Sequence, residues 1–181
     1  MAAAHLGVVV GDLDEHVTVA SAGLLESGHP VASETLSVMA SYGIDLAAHR
    51  STRLTAAAVE SADLVLGLER RHAREAILLV PAAWDRTFTL KELVRRGEKA
   101  GPRPPGLARS AWLASLLDGR ERTDLVGRSP EDDVADPLGG SLADYRATAA
   151  ELADLVHRLA GLFWPSSSGP LLWSEAGPAD S

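Results

Sequence analysis

Short apolar runs alternate along this chain with longer segments whose apolar residues recur at helical spacing. Three runs predict strands: the β-branched stretch from Val17 to Val19, "ADLVLGLE" at 62–69 and "RTFTL" at 86–90. The second run is apolar without interruption, which is typical of a strand buried on both faces of a sheet. The segments predicted to be helical are 31–43, 54–62, 69–80, 90–100, 107–120 and 142–163.

Residues with capping and stop preferences stand at the ends of several predicted helices. Thr55 precedes one helical segment as an N-cap, and Gly43 follows another as a stop. Ser141, with Asp144 three residues later, has the pattern of a capping box at the start of the last helix. Strands that alternate with helices predict an α/β protein with a three-layer αβα fold and a parallel sheet. Active sites in such folds lie at the carboxyl ends of the strands.

The length of 181 residues suits one domain followed by a tail. We predict a single domain over residues 1–164, in which "GPRPPG" at 101–106 separates two helices. Residues 165–181 are rich in proline, serine and glycine and predict a disordered tail.

The charge and hydropathy of the chain indicate which classes of partner and which cellular location to expect. The net charge is −8 and there is no basic stripe, so we expect no nucleic-acid partner. No apolar run approaches membrane-spanning length, so we expect no membrane partner. The first residues lack the basic segment of a signal peptide, and we therefore expect a cytoplasmic protein.

The sequence contains no cysteine, which excludes disulfides, thiolate metal sites and thiol nucleophiles within these 181 residues. The six histidines show no paired metal-ligand spacing. Neither a phosphate-binding P-loop nor a dinucleotide-binding glycine motif is present. We therefore predict no metal and no other cofactor.

One candidate for catalysis stands in the acidic segment "RSPEDDVADPLGGSLADY". Asp136 directly precedes Pro137, and a proline restricts the preceding residue to an extended conformation. A general acid needs such fixed placement, and the nearby carboxylates of Asp132 and Asp133 would favour its protonated form. The alternative is a solvated acidic loop that complements the positive N-terminus of the last helix. The residues alone leave both interpretations open.

The order of several segments gives the chain a resemblance to a known family. "VTVASAG", "GHPVASETLSVMASYGIDLAAHRSTRLT", "ESADLVLGLERRH" and "DVADPLGG" resemble the low-molecular-weight protein tyrosine phosphatases, in the same order and at similar spacing. That family hydrolyses phosphate monoesters through a phosphocysteine, without a metal or other cofactor. The resemblance implies that Asp136 is the general acid and that the substrate is a phosphotyrosine protein or a small phosphomonoester.

The family's first strand and its Cys-x-x-x-x-x-Arg phosphate loop have no counterpart in this sequence. The segment from Met1 to His16 has instead the length and place of the helix that follows that loop. The family's fold implies that the missing strand would lie between "VTVA" and "LVLGL", so we do not expect the chain as written to be a stable monomer. An alternative takes "LGVVVGD" as the first strand, but then Asp12, Asp14 and Glu15 would stand where the phosphate binds.

Two functions follow from this departure. The first is a tyrosine phosphatase whose sequence is N-terminally truncated, so that the nucleophile is absent and the 181-residue chain is inactive. The second is a non-catalytic pseudophosphatase that acts as a protein-binding module. The related arsenate reductases need several cysteines and fit less well. Leu138 follows the Asp-Pro pair where many phosphatases of the family carry an aromatic residue, which weakens the expectation of phosphotyrosine.

Overall fold

The computed structural model describes residues 1–11 and 17–164. The predicted tail, and the acidic residues of the alternative phosphate-loop position, lie outside these ranges. The described helices are α1 (Ala2–Gly11), α2 (Ser33–Ser41), α3 (Ala56–Ser61), α4 (Arg70–Leu79), α5 (Leu90–Ala100), α6 (Arg109–Ser115) and α7 (Leu142–Phe163). The strands are β1 (Val65–Gly67) and β2 (Thr87–Thr89), and two short 3₁₀ segments span Pro81–Arg86 and Arg122–Leu125.

The two strands are parallel neighbours and form the centre of the fold. Val65 pairs with Thr87 and Gly67 with Thr89, and α4 makes the connection between the strands. All three residues of β2 are fully buried, and both α4 and α5 pack against this strand. The predicted αβα architecture with a parallel sheet is confirmed.

The predicted strand from Val17 to Val19 was wrong. Both valines are only half-buried, and no backbone hydrogen bond joins residues 17–20 to another part of the described chain. The strand β1 is also less buried than its apolar sequence suggests, since Val65 and Leu66 are half-buried. A strand requires hydrogen-bonded neighbours, and the described residues give β1 one neighbour and residues 17–20 none.

Each predicted helix is present, although α6 ends at Ser115, five residues before the predicted end of the segment 107–120. Thr55 caps α3 by accepting a hydrogen bond from the Ala58 N–H group, with N and Oγ1 3.2 Å apart. Ser141 and Asp144 form the predicted capping box of α7. The first segment is the helix α1, so the interpretation of "LGVVVGD" as a strand was wrong.

The main hydrophobic core lies where α7 packs against α1 and α5. α7 buries a continuous stripe of side chains on this side, and the Phe163 ring meets the Trp112 ring edge-on, with the centroids 4.9 Å apart. Val17, Val19 and the leucines that flank and line β1 lie at the margin of this same core. The core therefore connects the last helix with the sheet that positions the candidate site.

A buried histidine on α1 makes stability depend on pH. His5 is 5% exposed, its ring meets Tyr42 edge-on, and its Nε2 atom has no hydrogen-bond partner among the described residues. Burial, assisted by the positive charges of the N-terminal amino group and His157, lowers the pKa of His5 to about 4. Above pH of about 6.5 both the folded and the unfolded chain hold this imidazole neutral. Between about 6.5 and 4 only the unfolded chain binds the proton, so folding is progressively disfavoured.

Replacing His5 by leucine is therefore expected to flatten the pH dependence of the free energy of unfolding. Between pH 7.5 and 4.5 the wild-type chain should lose about 2–3 kcal/mol more than His5→Leu, as measured by urea unfolding. His49→Gln, at an exposed position, is the matched control and should follow the wild type. Parallel pH profiles for wild type and His5→Leu would contradict the assignment.

Candidate active site

The carboxyl end of β1 turns sharply into α4, and the turn requires a glycine. A Cβ atom on Gly67 would lie 2.8 Å from the backbone nitrogen of Ala73 and 3.0 Å from the carbonyl oxygen of Glu69. Backbone atoms cannot move aside easily, so a larger residue would displace the start of α4. The close approach brings the first turn of α4 directly to the end of the strand.

Glu69 caps α4 and organises the residues that follow. Its side chain and that of His72 form a reciprocal capping box, in which the Nδ1 atom of His72 accepts from the Glu69 N–H group at 3.3 Å. Arg71 donates to the Glu69 carboxylate at 2.8 Å. Burial lowers the pKa of His72, and the negative charges of Glu69, Asp136 and Asp133 only partly offset this. The segment "ERRH" at 69–72 is therefore a self-capped helix start with its charges partly paired, and the charge of Asp136 acts on the ring of His72.

A second segment, residues 126–137, passes over this strand end, and we call it the acid loop. It is joined to the residue that directly follows β1 by a hydrogen bond of 2.7 Å from the Val134 N–H group to the Leu68 carbonyl. The hydroxyl of Thr148 on α7 donates to the Ala135 carbonyl at 3.3 Å. The two residues that precede Asp136 are thus held from both sides, by the strand and by the last helix.

Asp132 fastens the acid loop to two helices through its side chain. Its carboxylate accepts hydrogen bonds of 2.7 Å from Arg70 on α4 and 2.7 Å from Arg95 on α5. Burial alone would raise the pKa of Asp132, but the hydrogen bonds from Arg95 and Arg70 outweigh burial and hold this pKa below its usual value. The aspartate therefore remains charged and paired.

The carboxylate of Asp133 holds the loop by accepting hydrogen bonds from two backbone N–H groups. One of its oxygens accepts from the Arg70 N–H group at 2.7 Å, and the other accepts from the Ser129 N–H group at 2.9 Å. The carboxylates of Asp132 and Asp133 are both occupied in holding the loop, because arginines and backbone N–H groups lie within hydrogen-bond distance of them.

Asp136 is exposed at the end of the acid loop. One of its oxygens accepts from the Leu138 N–H group at 3.0 Å, which forms a tight turn around Pro137. The turn continues through Gly140, whose N–H group donates to the Pro137 carbonyl at 2.8 Å and whose position has no room for a Cβ atom. Leu138 is 72% exposed beside it. The carboxylate of Asp136 is thus accessible while the backbone around it is held.

The other sequence blocks of the resemblance also meet in the structure. The backbone of Gly23, in the segment "SAG", accepts from the Leu54 N–H group and donates to the Thr52 carbonyl, each at 2.8 Å. The hydroxyl of Ser27 accepts from the Arg53 N–H group at 2.9 Å. The loop after Ala20 therefore lies against residues 50–54, and Ser21 to Gly23 are exposed.

The residues that anchor the acid loop were missed by sequence reasoning. Arg70 and Asp132 stand 62 positions apart, and Arg95 and Asp132 stand 37 apart. A charged pair so far apart in sequence carries no local signal. In the described ranges no three histidine, aspartate or glutamate side chains lie close enough to hold a metal ion together. Nor does any described helix combine the length and hydropathy that a membrane span requires.

Comparison with known proteins gives the family of the chain. The family model for low molecular weight phosphotyrosine protein phosphatases matches residues 8–102, more than half of the sequence. A protein-arginine-phosphatase of Geobacillus stearothermophilus is 32% identical over 145 residues, which cover 80% of this chain and 75% of that protein.

Solved structures agree with this match. A low molecular weight protein tyrosine phosphatase from T. tengcongensis superposes with a TM-score of 0.63 at 29% identity, covering 87% of this chain and 86% of that one. The YwlE arginine phosphatase from Geobacillus stearothermophilus superposes with a TM-score of 0.61 at 30% identity, covering 88% of this chain and 80% of that one. The chain belongs to the low molecular weight phosphotyrosine protein phosphatase family.

Proposed function

We propose that this protein takes part in the hydrolysis of a phosphate group from a phosphorylated protein, with Asp136 as general acid and then general base. The observation that carries the proposal is the contrast between a firmly held loop and an accessible carboxylate. Val134 and Ala135 are anchored by β1 and α7, while Asp136 is exposed at the carboxyl end of the sheet. Ligands of open α/β sheets bind at this end.

The role assigned to Asp136 is proton transfer in two steps. The carboxylic acid first donates its proton to the leaving group as the bond to phosphorus breaks. The carboxylate then takes a proton from the water that attacks the phosphorylated enzyme, which restores the acid. Pro137 and the bond from Leu138 limit where this carboxylate can lie. That restriction serves a group that must meet both a leaving atom and a water.

The nucleophile is the part of the site that the 181 residues do not contain. The sequence has no cysteine, whereas the family reaction proceeds through a phosphocysteine. We propose that the native protein begins upstream of Met1 and that those residues supply the phosphate loop. Val17, Val19, Leu64 and Leu66 support this proposal, since they pack on the main core but are only half-buried, and no strand of the described residues pairs with Val17 or Val19. One added strand would give both segments hydrogen-bonded neighbours.

Phosphotyrosine is the first candidate substrate and phosphoarginine the second. The family as a whole acts on phosphotyrosine. Two observations make phosphoarginine the second candidate. They are the 32% identity to a protein-arginine-phosphatase and the aliphatic Leu138 beside Asp136. Both reactions need a proton on the departing oxygen or nitrogen, so both would use the same general acid.

The experiment compares two lengths of the protein. Mass spectrometry of the endogenous protein gives its natural N-terminus, and the native chain and the 181-residue chain are then assayed side by side. Substrates are p-nitrophenyl phosphate, a phosphotyrosine peptide and a phosphoarginine peptide, with EDTA present. The native chain should be active with EDTA. The 181-residue chain should be lower by about a millionfold, the cost of losing a catalytic nucleophile.

Each outcome decides between the candidates. Equal activity in both chains would mean that the nucleophile lies within the 181 residues and would contradict the proposal. A native protein that starts at Met1 and is inactive would favour the pseudophosphatase, a protein-binding module that has kept the loop without the chemistry. The ratio of the rates for the two peptides assigns the substrate.

A further inference from the structure

We infer that Asp133 is a positioning residue that sets where Asp136 lies, an inference that rests on the catalytic role proposed for Asp136. Asp133 does not itself point to a substrate, because both of its carboxylate oxygens are engaged by backbone N–H groups. It acts through the two residues, Val134 and Ala135, that lead from it to Asp136. Nothing in the local sequence distinguishes it from Asp132, yet the two carboxylates bind different kinds of partner.

The carboxylate of Asp133 connects the acid loop to the start of α4. Toward its own loop it accepts from the Ser129 N–H group at 2.9 Å, while its own N–H group donates to the Ser129 carbonyl at 2.7 Å. Toward the sheet it accepts from the Arg70 N–H group at 2.7 Å, at the first residue of α4. The same side chain therefore closes the turn of the acid loop and caps the helix that follows β1.

The next residue, Val134, connects the acid loop to the residue that follows β1. The Val134 N–H group donates to the Leu68 carbonyl at 2.7 Å, directly after the end of β1. Asp133 and Val134 thus hold two successive residues of the acid loop to Arg70 and Leu68, which are themselves two positions apart. Only Ala135 separates this double anchor from Asp136. A shift of about 1 Å at a catalytic group can lower a rate about a hundredfold, so an anchor this close matters to the reaction.

Both oxygens of the carboxylate are needed for this arrangement. An asparagine offers one acceptor oxygen and one NH₂ group, and the NH₂ group cannot accept from a second N–H. Asp133→Asn must therefore leave either Ser129 or Arg70 without its partner. Asp132 differs, since it pairs with the two flexible side chains of Arg70 and Arg95. Of the two carboxylates, only that of Asp133 binds backbone N–H groups on both of its oxygens, three residues before Asp136.

The first test measures the anchor without using activity. Hydrogen exchange is followed in the native protein at the amide of Val134, with the amide of Leu152 in the middle of α7 as the reference for global unfolding. In Asp133→Asn the exchange of Val134 should become at least about tenfold faster relative to Leu152. Asp118→Asn removes the same charge from an exposed position outside the loop and should change neither amide. An unchanged Val134 in Asp133→Asn overturns the inference.

The second test compares substrates with different leaving groups. A purely structural role of Asp133 would not change the ratio of their rates. A misplaced general acid harms phenyl phosphate, whose phenolate needs a proton, more than p-nitrophenyl phosphate, whose leaving group is stable as an anion. Asp133→Asn should lower kcat for phenyl phosphate about tenfold or more, lower it less for p-nitrophenyl phosphate, and leave KM unchanged. An equal loss for both substrates, or a change in KM alone, overturns the inference.

The variant Asp136→Asn keeps the two proposals distinguishable. If Asp136→Asn shows the leaving-group effect and Asp133→Asn does not, the positioning inference fails while the proposed function stands. If the native protein is active and Asp136→Asn is unaffected, the proposed role of Asp136 fails, and the inference that rests on it fails too. If the native protein is inactive, the proposed function fails and the exchange of Val134 decides whether Asp133 holds the loop.

Discussion

Replacing Arg120 by methionine is expected to lower the free energy of unfolding by about 3 kcal/mol or more. We expect no larger loss of stability from any other single substitution considered for this chain. The Arg120 side chain is fully buried and donates to both carboxylate oxygens of Glu92, at 2.7 and 3.0 Å. Its guanidinium also donates to the carbonyls of Thr87 at 2.7 Å and Trp84 at 3.0 Å. Removing it leaves a buried carboxylate and two carbonyls without these donors.

The position of Arg120 explains why so much depends on it. Its guanidinium lies 4.0 Å from the centroid of the Trp84 ring and 4.5 Å from that of Phe88, so it links the 3₁₀ segment with β2. Glu92, on α5, is 3% exposed. Arg96 also donates to Glu92, at 3.0 Å, and would keep part of its charge compensated. We therefore expect a loss near the lower end of the range of about 3–5 kcal/mol for a broken buried ion pair.

Urea unfolding of matched variants of the native protein measures this effect. Arg158 makes a comparable two-bond ion pair with Glu98, at 2.7 and 2.8 Å, but both side chains are more than 40% exposed. Arg158→Met should therefore cost no more than about 1 kcal/mol. The double variant Arg120→Met/Glu92→Met should recover part of the loss, because no buried charge is left unpaired. Equal losses in Arg120→Met and Arg158→Met would show that burial of the pair is not what matters.

The features that sequence predicts well in this protein are those determined by neighbours in the chain. Thr55 accepts from a residue three positions ahead, and the Ser141 capping box spans the same distance. The apolar stripe of α7 follows from helical spacing alone. A local signal of the same kind, the adjacent Pro137, made Asp136 the candidate general acid, and that role stays a prediction.

The features that sequence did not predict depend on partners far away in the chain. Asp133 meets the Arg70 N–H group across 63 positions, and Arg120 meets Glu92 across 28. The strand expected at Val17 to Val19 failed for a related reason. β-branched residues favour a strand only where a neighbouring strand offers hydrogen bonds, and residues 17–20 have none within the described structure.

Among single substitutions, the largest effect on activity is expected from Asp136→Asn in the native protein. Loss of a general acid lowers rates by about 10²–10⁴-fold, and the full loss should appear with phenyl phosphate, whose leaving oxygen requires a proton. With p-nitrophenyl phosphate the loss should be much smaller. The substitution keeps the shape of the side chain and its ability to accept from the Leu138 N–H group, so the turn around Pro137 should persist.

A control variant at the other end of the sheet tests whether the loss of one negative charge is enough to lower the rate. Asp63 is exposed and lies two residues before the start of β1, whereas the acid loop lies at the carboxyl end of the same strand. Asp63→Asn removes the same charge and should retain the wild-type kcat and KM for both substrates. If the two variants behave alike, Asp136 is a solvated loop residue and the acid must be sought elsewhere. If only Asp136→Asn loses the rate with phenyl phosphate, the acid loop carries the catalytic proton.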